Sequence, residues 1–595
     1  MTVADVKALG GANELLALSY DVRERILYAV SQNGGHLASS LGAVELAIAL
    51  VRAFDPETDR VLWDVGHQSY AWKILTGRSG RFGTLRRFGG ISGFPNPEES
   101  VCDAFVAGHA GAALAAAEGL AVARDRRGGT EHVVAVVGDA AFSNGMALEA
   151  LNNCRALTKR LILVVNDNES ATTECPIDLL LEAFRFKSLG WVEGHDVKAL
   201  EEVFEKAKAA DGLVALRVTT RKGMGFWPAE CNPMAWHGVA PFDLSAYKDL
   251  NVFKAFNDLK ESKNSKDSKD PKDLKDSKVL EDSKDLKGFS DRSWSEIFGS
   301  AVCAAARRDP KVCALTAAMR EGTGLAPFSH EFPNRFFDVG ICEEHLVTFA
   351  GGLAKGGMKP VAAVYSTFLQ RAIDQVMHDV CLMNLPVVFG IDRAGAVGAD
   401  GRTHHGMFDI PMLRCLPNLS ILQPKDANEL EAMVELALAR NAPVAIRYPR
   451  GRPAQFNDTK DVKDLKWGCA EQLSNPGAAL QIWALGDQVA KALKVAELLT
   501  ARGIEAGVVN ARFVKPFDAD LLMRQRTAGA RIVSLENGAV AGGFGEAIGA
   551  DVRFGWPDAY VTHGSISDLE FAYGLTPAAI AEEISQSHNQ TISQS

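Results

Sequence analysis

No two of the ten cysteines in this 595-residue chain form a Cys-x-x-Cys pair. That argues against structural zinc and fits reduced thiols packed in a core within a reducing compartment. No apolar run reaches the roughly 18–20 residues of a membrane span, and the opening MTVADVKALGG lacks the basic and apolar regions of a signal peptide. A cytoplasmic protein with no membrane partner is expected. Positive charge is also in deficit: a formal net charge of −10 gives no reason to expect nucleic acid, so any anionic substrate must be held by local Arg and Lys. What is present is 47% hydrophobic and 23% charged residues, enough core for three or four domains.

The chain is organised around Val133 to Asn168: an apolar strand VVAVVG, then Asp139, a helix-like segment, a second apolar strand LILVV, and Asn166-Asp167-Asn168. Continuous apolar runs suit parallel strands buried on both faces, and the roughly 30 residues between Asp139 and Asn168 make about one strand-helix-strand crossover. Both side chains are therefore expected at the carboxyl edge of one sheet, where open α/β sheets bind ligands. Singly, each is as well explained by a helix cap or a turn. Together they form an oxygen pair suited to Mg2+, which takes few protein ligands and completes its shell from water and phosphate. A diphosphate-bearing ligand is implied.

GDAAFSNGMALEALNN (Gly138 to Asn153) followed by NDNES (Asn166 to Ser170) resembles the thiamine-diphosphate motif of transketolase-like enzymes. SQNGGHLASSLGAVEL, WDVGHQSYAWKILTGR, LTAAMREG, STFLQRAIDQV, DRAGAVGADGRTHHG and IRYPRG narrow the resemblance, over nearly the whole chain, to 1-deoxy-D-xylulose-5-phosphate synthases. The resemblance implies three α/β domains of transketolase type, two of them thiamine-diphosphate-binding folds. They would be a diphosphate and Mg2+ domain over 1–245, a pyrimidine-binding and substrate domain over 289–456, and a transketolase C-terminal-like domain over 468–595. It further implies a transferase using thiamine diphosphate and Mg2+, and working as a homodimer. The reaction would decarboxylate pyruvate and join the remainder to D-glyceraldehyde 3-phosphate, giving 1-deoxy-D-xylulose 5-phosphate and CO2 for isoprenoid and thiamine biosynthesis.

Carried over residue by residue, the resemblance assigns the metal to Asp139, Asn168 and Ser170, and cofactor contacts to His67, His109, Gly138, Asp139, Ala140, Asn168, Lys222, Ile341, Glu343 and Phe368. Glu343 would hydrogen-bond the aminopyrimidine and favour the tautomer that removes the thiazolium proton. Ile341 would prop the bent cofactor and Phe368 would stack on its pyrimidine. Glu343, His36, His67 and His404 form the expected catalytic set; His36, His237, Tyr365, Arg371, Arg393, Asp400, His404 and Arg450 form the substrate set, with Arg371 and Arg450 on the phosphate. Arginine suits phosphate because its planar fork donates two charge-assisted bonds at once. Each residue also has a plainer explanation: a histidine after glycine in a turn, an acidic pair favouring a helix start, a lysine in a solvated loop.

Between 246 and 288 the chain turns to Lys, Asp, Ser and Leu, with lysine at every third position from Lys260 to Lys278 and Pro271 among them. That period does not match a helix, so a flexible tether spanning about 30 Å is expected; a shorter one is expected over 457–467, echoing it in TKDVKDLK. Four departures from the family pattern stand out. Ala140 replaces a usual glycine, Ala110, Gly111, Ala112 and Ala113 stand where small hydroxyl residues are usual, and His405 replaces a usual glutamine. The fourth is a short segment between Ser170 and FKSLGWVEGHD where a long mobile cover is usual; CO2 release from pyruvate alone is the expected consequence. Two other functions remain open from these residues: a transketolase using ketose donors, or a degenerate thiamine-binding regulatory paralogue.

Overall fold

The structure, a computed structural model, describes residues 1–168, 177–250, 292–456 and 465–594. Ser170, most of the 246–288 stretch and most of 457–467 lie outside these. Two compact units, Met1–Leu286 and Lys287–Ser595, make up the chain.

The first unit is built on a parallel sheet of β1 (Arg60–Trp63), β2 (Val133–Gly138), β3 (Arg160–Asp167), β4 (Lys187–Glu193) and β5 (Gly212–Thr219), in the order β1-β2-β3-β5-β4. Strands β2 and β3 are the two apolar runs of the sequence; helices cover both faces, so nearly every residue in them is buried. Their register pairs Gly138 with Asn166, and that of β3 with β5 pairs Asp167 with Thr219. Three neighbouring strands therefore end together, and Asp139, Asn168 and Thr220 to Lys222 leave the sheet along one edge.

A buried charge network holds the turn after β5. Glu45 accepts two bonds of 2.6 Å from the Arg23 fork and one of 2.9 Å from His195 Nδ1. His195 Nε2 accepts from the Arg221 amide at 2.9 Å, and Arg23 Nε donates to the Met224 carbonyl at 2.9 Å. Burial alone would raise the Glu45 pKa, but Arg23 and His195 bring it from 4.5 down to about 2. A depressed carboxylate stabilises the fold fully above pH 4.5 and loses that contribution as the pH falls from 4.5 towards 2. Glu45→Gln is thus expected to cost roughly 3 kcal/mol at neutral pH. The gap from the parent should close in strong acid, as followed by thermal melts across pH; a gap independent of pH would contradict the assignment.

The second unit holds two sheets. The first comprises β6 (Val312–Thr316), β7 (Phe336–Asp338), β8 (Lys359–Tyr365), β9 (Val388–Asp392), β10 (Ser420–Leu422) and β11 (Val444–Arg447), all parallel. The second contains β12 (Glu471–Ser474), β13 (Leu480–Ala484), β14 (Ala506–Asn510), β16 (Arg531–Ala539) and β17 (Val552–Trp556), in the order β12-β14-β13-β16-β17. Between β14 and β16 the chain sends β15 (Phe513–Lys515) back to the first sheet, where it pairs antiparallel with β10 as the edge strand. The two sheets are further joined by Arg447, fully buried, whose fork grips Asp409 at 2.9 and 3.0 Å while Nη1 reaches Asn537 Oδ1 at 2.6 Å. Among the described residues no helix is long and apolar enough to cross a membrane.

Candidate active site

In the first unit three histidines meet. The long helix Ala12–Asn33 ends at Gly34, whose φ of +69° and closeness to the Val239 carbonyl, 2.6 Å from where a Cβ would sit, require glycine. The chain then delivers His36 against His67, from the loop after β1, and against His237. Ring centroids lie 5.8 Å apart for His36 and His67, 5.6 Å for His36 and His237, and 5.2 Å for His67 and His237. Phe94 presents its edge to His36 at 5.5 Å. Burial, and the neighbouring His237, His36 and Lys222, hold the His67 pKa well below 6.5. His67 is therefore neutral at physiological pH.

Beside this cluster, Asp139 opens the short helix Asp139–Phe142 and is buried, as is Asn168. Burial lowers the Lys222 pKa and the Asp139 carboxylate opposes that fall, so the two charges share one environment. Asn166 ties the strand ends together: Nδ2 donates to Gln68 Oε1 at 3.0 Å and Oδ1 accepts from Thr220 Oγ1 at 2.7 Å. Asp167 is occupied by the Arg217 fork. Of the three polar residues in this run, Asn166 braces the sheet edge, Asp167 pairs with Arg217, and Asn168 follows β3 at the same sheet edge as Asp139. Gly138 and Ala140 flank Asp139. His109 lies in a small cavity with Asp64 and Ala113. The backbone amides after His109 are not all open to a ligand, as the small residues there suggest: those of Gly111 and Ala113 donate to Asp64 at 2.9 and 3.0 Å.

The second unit carries its own cluster. Glu343 is the first residue of the helix Glu343–Lys355, reached from β7 through a turn that contains Ile341, and is only 3% exposed. Burial raises its pKa; Arg371, with Nη1 at 3.4 Å, works against that. The sequence pairs Arg371 with Arg450 in expectation, whereas the fold sets Arg371 on Glu343 and Arg450 on Asp400 at 3.0 Å. A row of flat groups fills the same region: the Arg393 guanidinium lies 3.9 Å over the Tyr365 ring, Tyr365 stacks on Phe368 at 5.6 Å, and Phe368 meets His404 edge-on at 5.5 Å. Burial pushes the Tyr365 hydroxyl up to about 12, with Arg393 opposing it, so it stays a donor. Arg393 is itself held by the Gly322 carbonyl at 2.8 Å and Asp392 at 2.9 Å.

His405 is held by two bonds. As a replacement for glutamine it reads as an extra titratable group near the acceptor. In the fold it is buried, with both ring nitrogens bonded: Nδ1 accepts from the Val397 amide and Nε2 donates to the Thr562 carbonyl, each at 3.0 Å. Asn166, Glu45 and His195, given no role by the sequence motifs, brace this sheet edge; the signal for Asn166 was its place in the Asn-Asp-Asn run.

Parallel sheets of this order, with a C-terminal sheet joined through an antiparallel edge strand, define an α/β protein of transketolase type. Residues 1–176 match the 1-deoxy-D-xylulose-5-phosphate synthase family model, 290–454 the transketolase pyrimidine-binding domain and 468–580 the transketolase C-terminal domain. The chain is 42% identical to 1-deoxy-D-xylulose-5-phosphate synthase 1 of Geobacter metallireducens, across 96% of each chain. To the enzyme of the same name from Geobacter sulfurreducens it is 41% identical, across 97% of this chain and 95% of that one. Transketolase from Leishmania mexicana is 18% identical over 96% of each chain, with a TM-score of 0.45. The chain belongs to the 1-deoxy-D-xylulose-5-phosphate synthase family.

Proposed function

We propose that this chain makes 1-deoxy-D-xylulose 5-phosphate and CO2 from pyruvate and D-glyceraldehyde 3-phosphate with the residues described above. The observation that carries this assignment is the convergence of Asp139, Asn168 and Lys222 on adjacent strand ends of one parallel sheet. A carboxylate and an amide oxygen beside a partly buried lysine fit a Mg2+ diphosphate: the oxygens take the metal and the lysine faces phosphate. Ser170 completes the proposed ligand set, though it lies outside the described residues. Bound thiamine diphosphate supplies the nucleophilic carbon and electron sink that no side chain can provide.

The chain's own residues bind, orient and move protons. Glu343 holds a buried, proton-exchanging carboxyl, and Ile341 and Phe368 would flank the pyrimidine. His36 and the neutral His67 and His237 exchange hydrogen bonds with substrate oxygens, and His109 borders the diphosphate. In the second unit, Tyr365, Asp400 and His404 face the acceptor's hydroxyl and carbonyl groups. Arg450, with its side chain 49% exposed, takes the phosphate; Arg371 restrains Glu343 and serves the same anion. A homodimer in the cytoplasm is the working state we propose.

CO2 release from labelled pyruvate, with and without the aldehyde, tests the reading. Release together with the pentulose product is expected only with cofactor and Mg2+, and no turnover would favour the regulatory paralogue. Arg450→Ala should raise KM for the phosphorylated aldehyde by about 10-fold or more, as loss of a charge-assisted bond to phosphate implies. KM for pyruvate should change little; equal effects on both substrates would contradict the assignment.

A further inference from the structure

The loop after β9 is closed at its neck by Gly395 and Gly406, which exchange two backbone bonds of 2.8 Å. Inside it the Gly401 carbonyl accepts from the amides of His404 and His405 at 2.9 and 3.1 Å. The loop carries Asp400 and His404, both in the proposed acceptor site. Its far side rests on the C-terminal sheet region: a Cβ on Gly401 would lie 2.9 Å from His563 Cβ, and the Gly564 amide donates to Gly398 at 3.4 Å.

Val397 is the joint of this loop. Its N–H donates to His405 Nδ1 at 3.0 Å, and its carbonyl accepts from Arg450 Nη1 at 3.3 Å, the nitrogen that also holds Asp400. An amide can only donate and a carbonyl can only accept, so Nδ1 of His405 bears no proton and Nε2 bears one. We propose that His405 is a positioning residue whose neutral ring clamps Val397 to Thr562 and so sets the orientation of Arg450 and Asp400 towards the phosphorylated aldehyde. This rests on the proposed acceptor site.

The same two bonds define what could replace the ring. Glutamine offers one acceptor and one donor on a single planar group, so it can bridge the Val397 amide and the Thr562 carbonyl without titrating. Histidine adds a dependence on pH. The groups facing it are the Thr562 carbonyl and Asp400, which favour its charged form, and His563, which disfavours it; burial outweighs these and holds its pKa below 6.5. Arg450 is engaged with Asp400. Protonation would set a second N–H against the Val397 amide. The clamp is therefore intact above 6.5 and weakens as the pH falls from there through the lowered value.

The test uses the full chain with thiamine diphosphate and Mg2+, comparing His405→Leu, His405→Gln and Arg450→Ala between about pH 5 and 8. Losing both bonds in His405→Leu should raise KM for the aldehyde about 10-fold, with KM for pyruvate within about 2-fold, and expose the Val397 amide to hydrogen exchange. His405→Gln should keep the parent's KM and protection while flattening the acid limb of kcat/KM for the aldehyde. An unchanged aldehyde KM in His405→Leu, while Arg450→Ala raises it, overturns the inference. Equal impairment in the Gln and Leu variants overturns it too, as does a parallel loss of both KM values and Tm. If Arg450→Ala leaves the aldehyde KM unchanged, the acceptor-site reading itself fails. Loss of Val397 protection in the Leu variant alone would then leave the clamp standing without its link to substrate, which also overturns the inference as stated.

Discussion

Glu343→Gln is expected to lower kcat by about 10²- to 10⁴-fold, the range in which a positioned acid or base contributes to a proton-transfer step. Glutamine keeps the volume and one hydrogen bond of the carboxyl but cannot change its protonation state. The side chain is 3% exposed, and burial favours its protonated form while Arg371 favours the ionised one. Burial and Arg371 thus act on the carboxyl in opposite directions, with burial the larger, in the kind of setting where proton-exchanging groups are found. The neutral replacement leaves no unpaired buried carboxylate, so the fold should survive. Cofactor affinity should fall by less than about 10-fold, since one neutral hydrogen bond replaces another. Steady-state turnover beside titration calorimetry of thiamine diphosphate separates the two effects, and near-normal turnover would remove Glu343 from the mechanism.

Asp139→Ala is expected to weaken Mg2+-dependent binding of thiamine diphosphate by about 100-fold or more, roughly 2.7 kcal/mol. Two losses add up here. The metal loses its only proposed carboxylate ligand among the described residues. Lys222 also loses the negative charge that opposes its burial, so its pKa falls further and its ammonium is held less firmly. Because Asp139 stands at a strand end, outside the apolar run of β2, the sheet should remain folded. Calorimetry with Mg2+ and with excess chelator reads the effect; an affinity that is unchanged, or one that falls equally without the metal, would overturn the assignment.

Strands β2, β3, β5, β6, β8, β9, β11, β13, β14 and β16 are visible in the sequence as apolar runs, because a strand covered on both faces must be apolar throughout. The alternation of those runs with helical stretches determines the α/β class and sets Asp139 and Asn168 at one sheet edge. Their motifs, with those around His36, His67, His237, Glu343 and Arg450, determine the family. Short strands such as FFD (Phe336–Asp338), SIL (Ser420–Leu422) and FVK (Phe513–Lys515) span too few positions to show a period. β15 is recognisable only from its partner β10 in the other sheet.

Which side chain meets which was decided by tertiary structure alone. Arg371 and Arg450 read alike in sequence, each an arginine in a family motif. Packing buries one against Glu343 and leaves the other half exposed on Asp400. His405 read as an extra titratable group near the acceptor, and only the fold shows its two ring nitrogens bridging Val397 and Thr562. Glu45 and His195 lie in quoted stretches of sequence that give them no role, yet they hold the turn of Lys222 in place. Residue type and spacing specify which groups can donate, accept or ionise. Partners distant in the chain meet only when strands align, and burial and neighbouring charge then decide the protonation state of each.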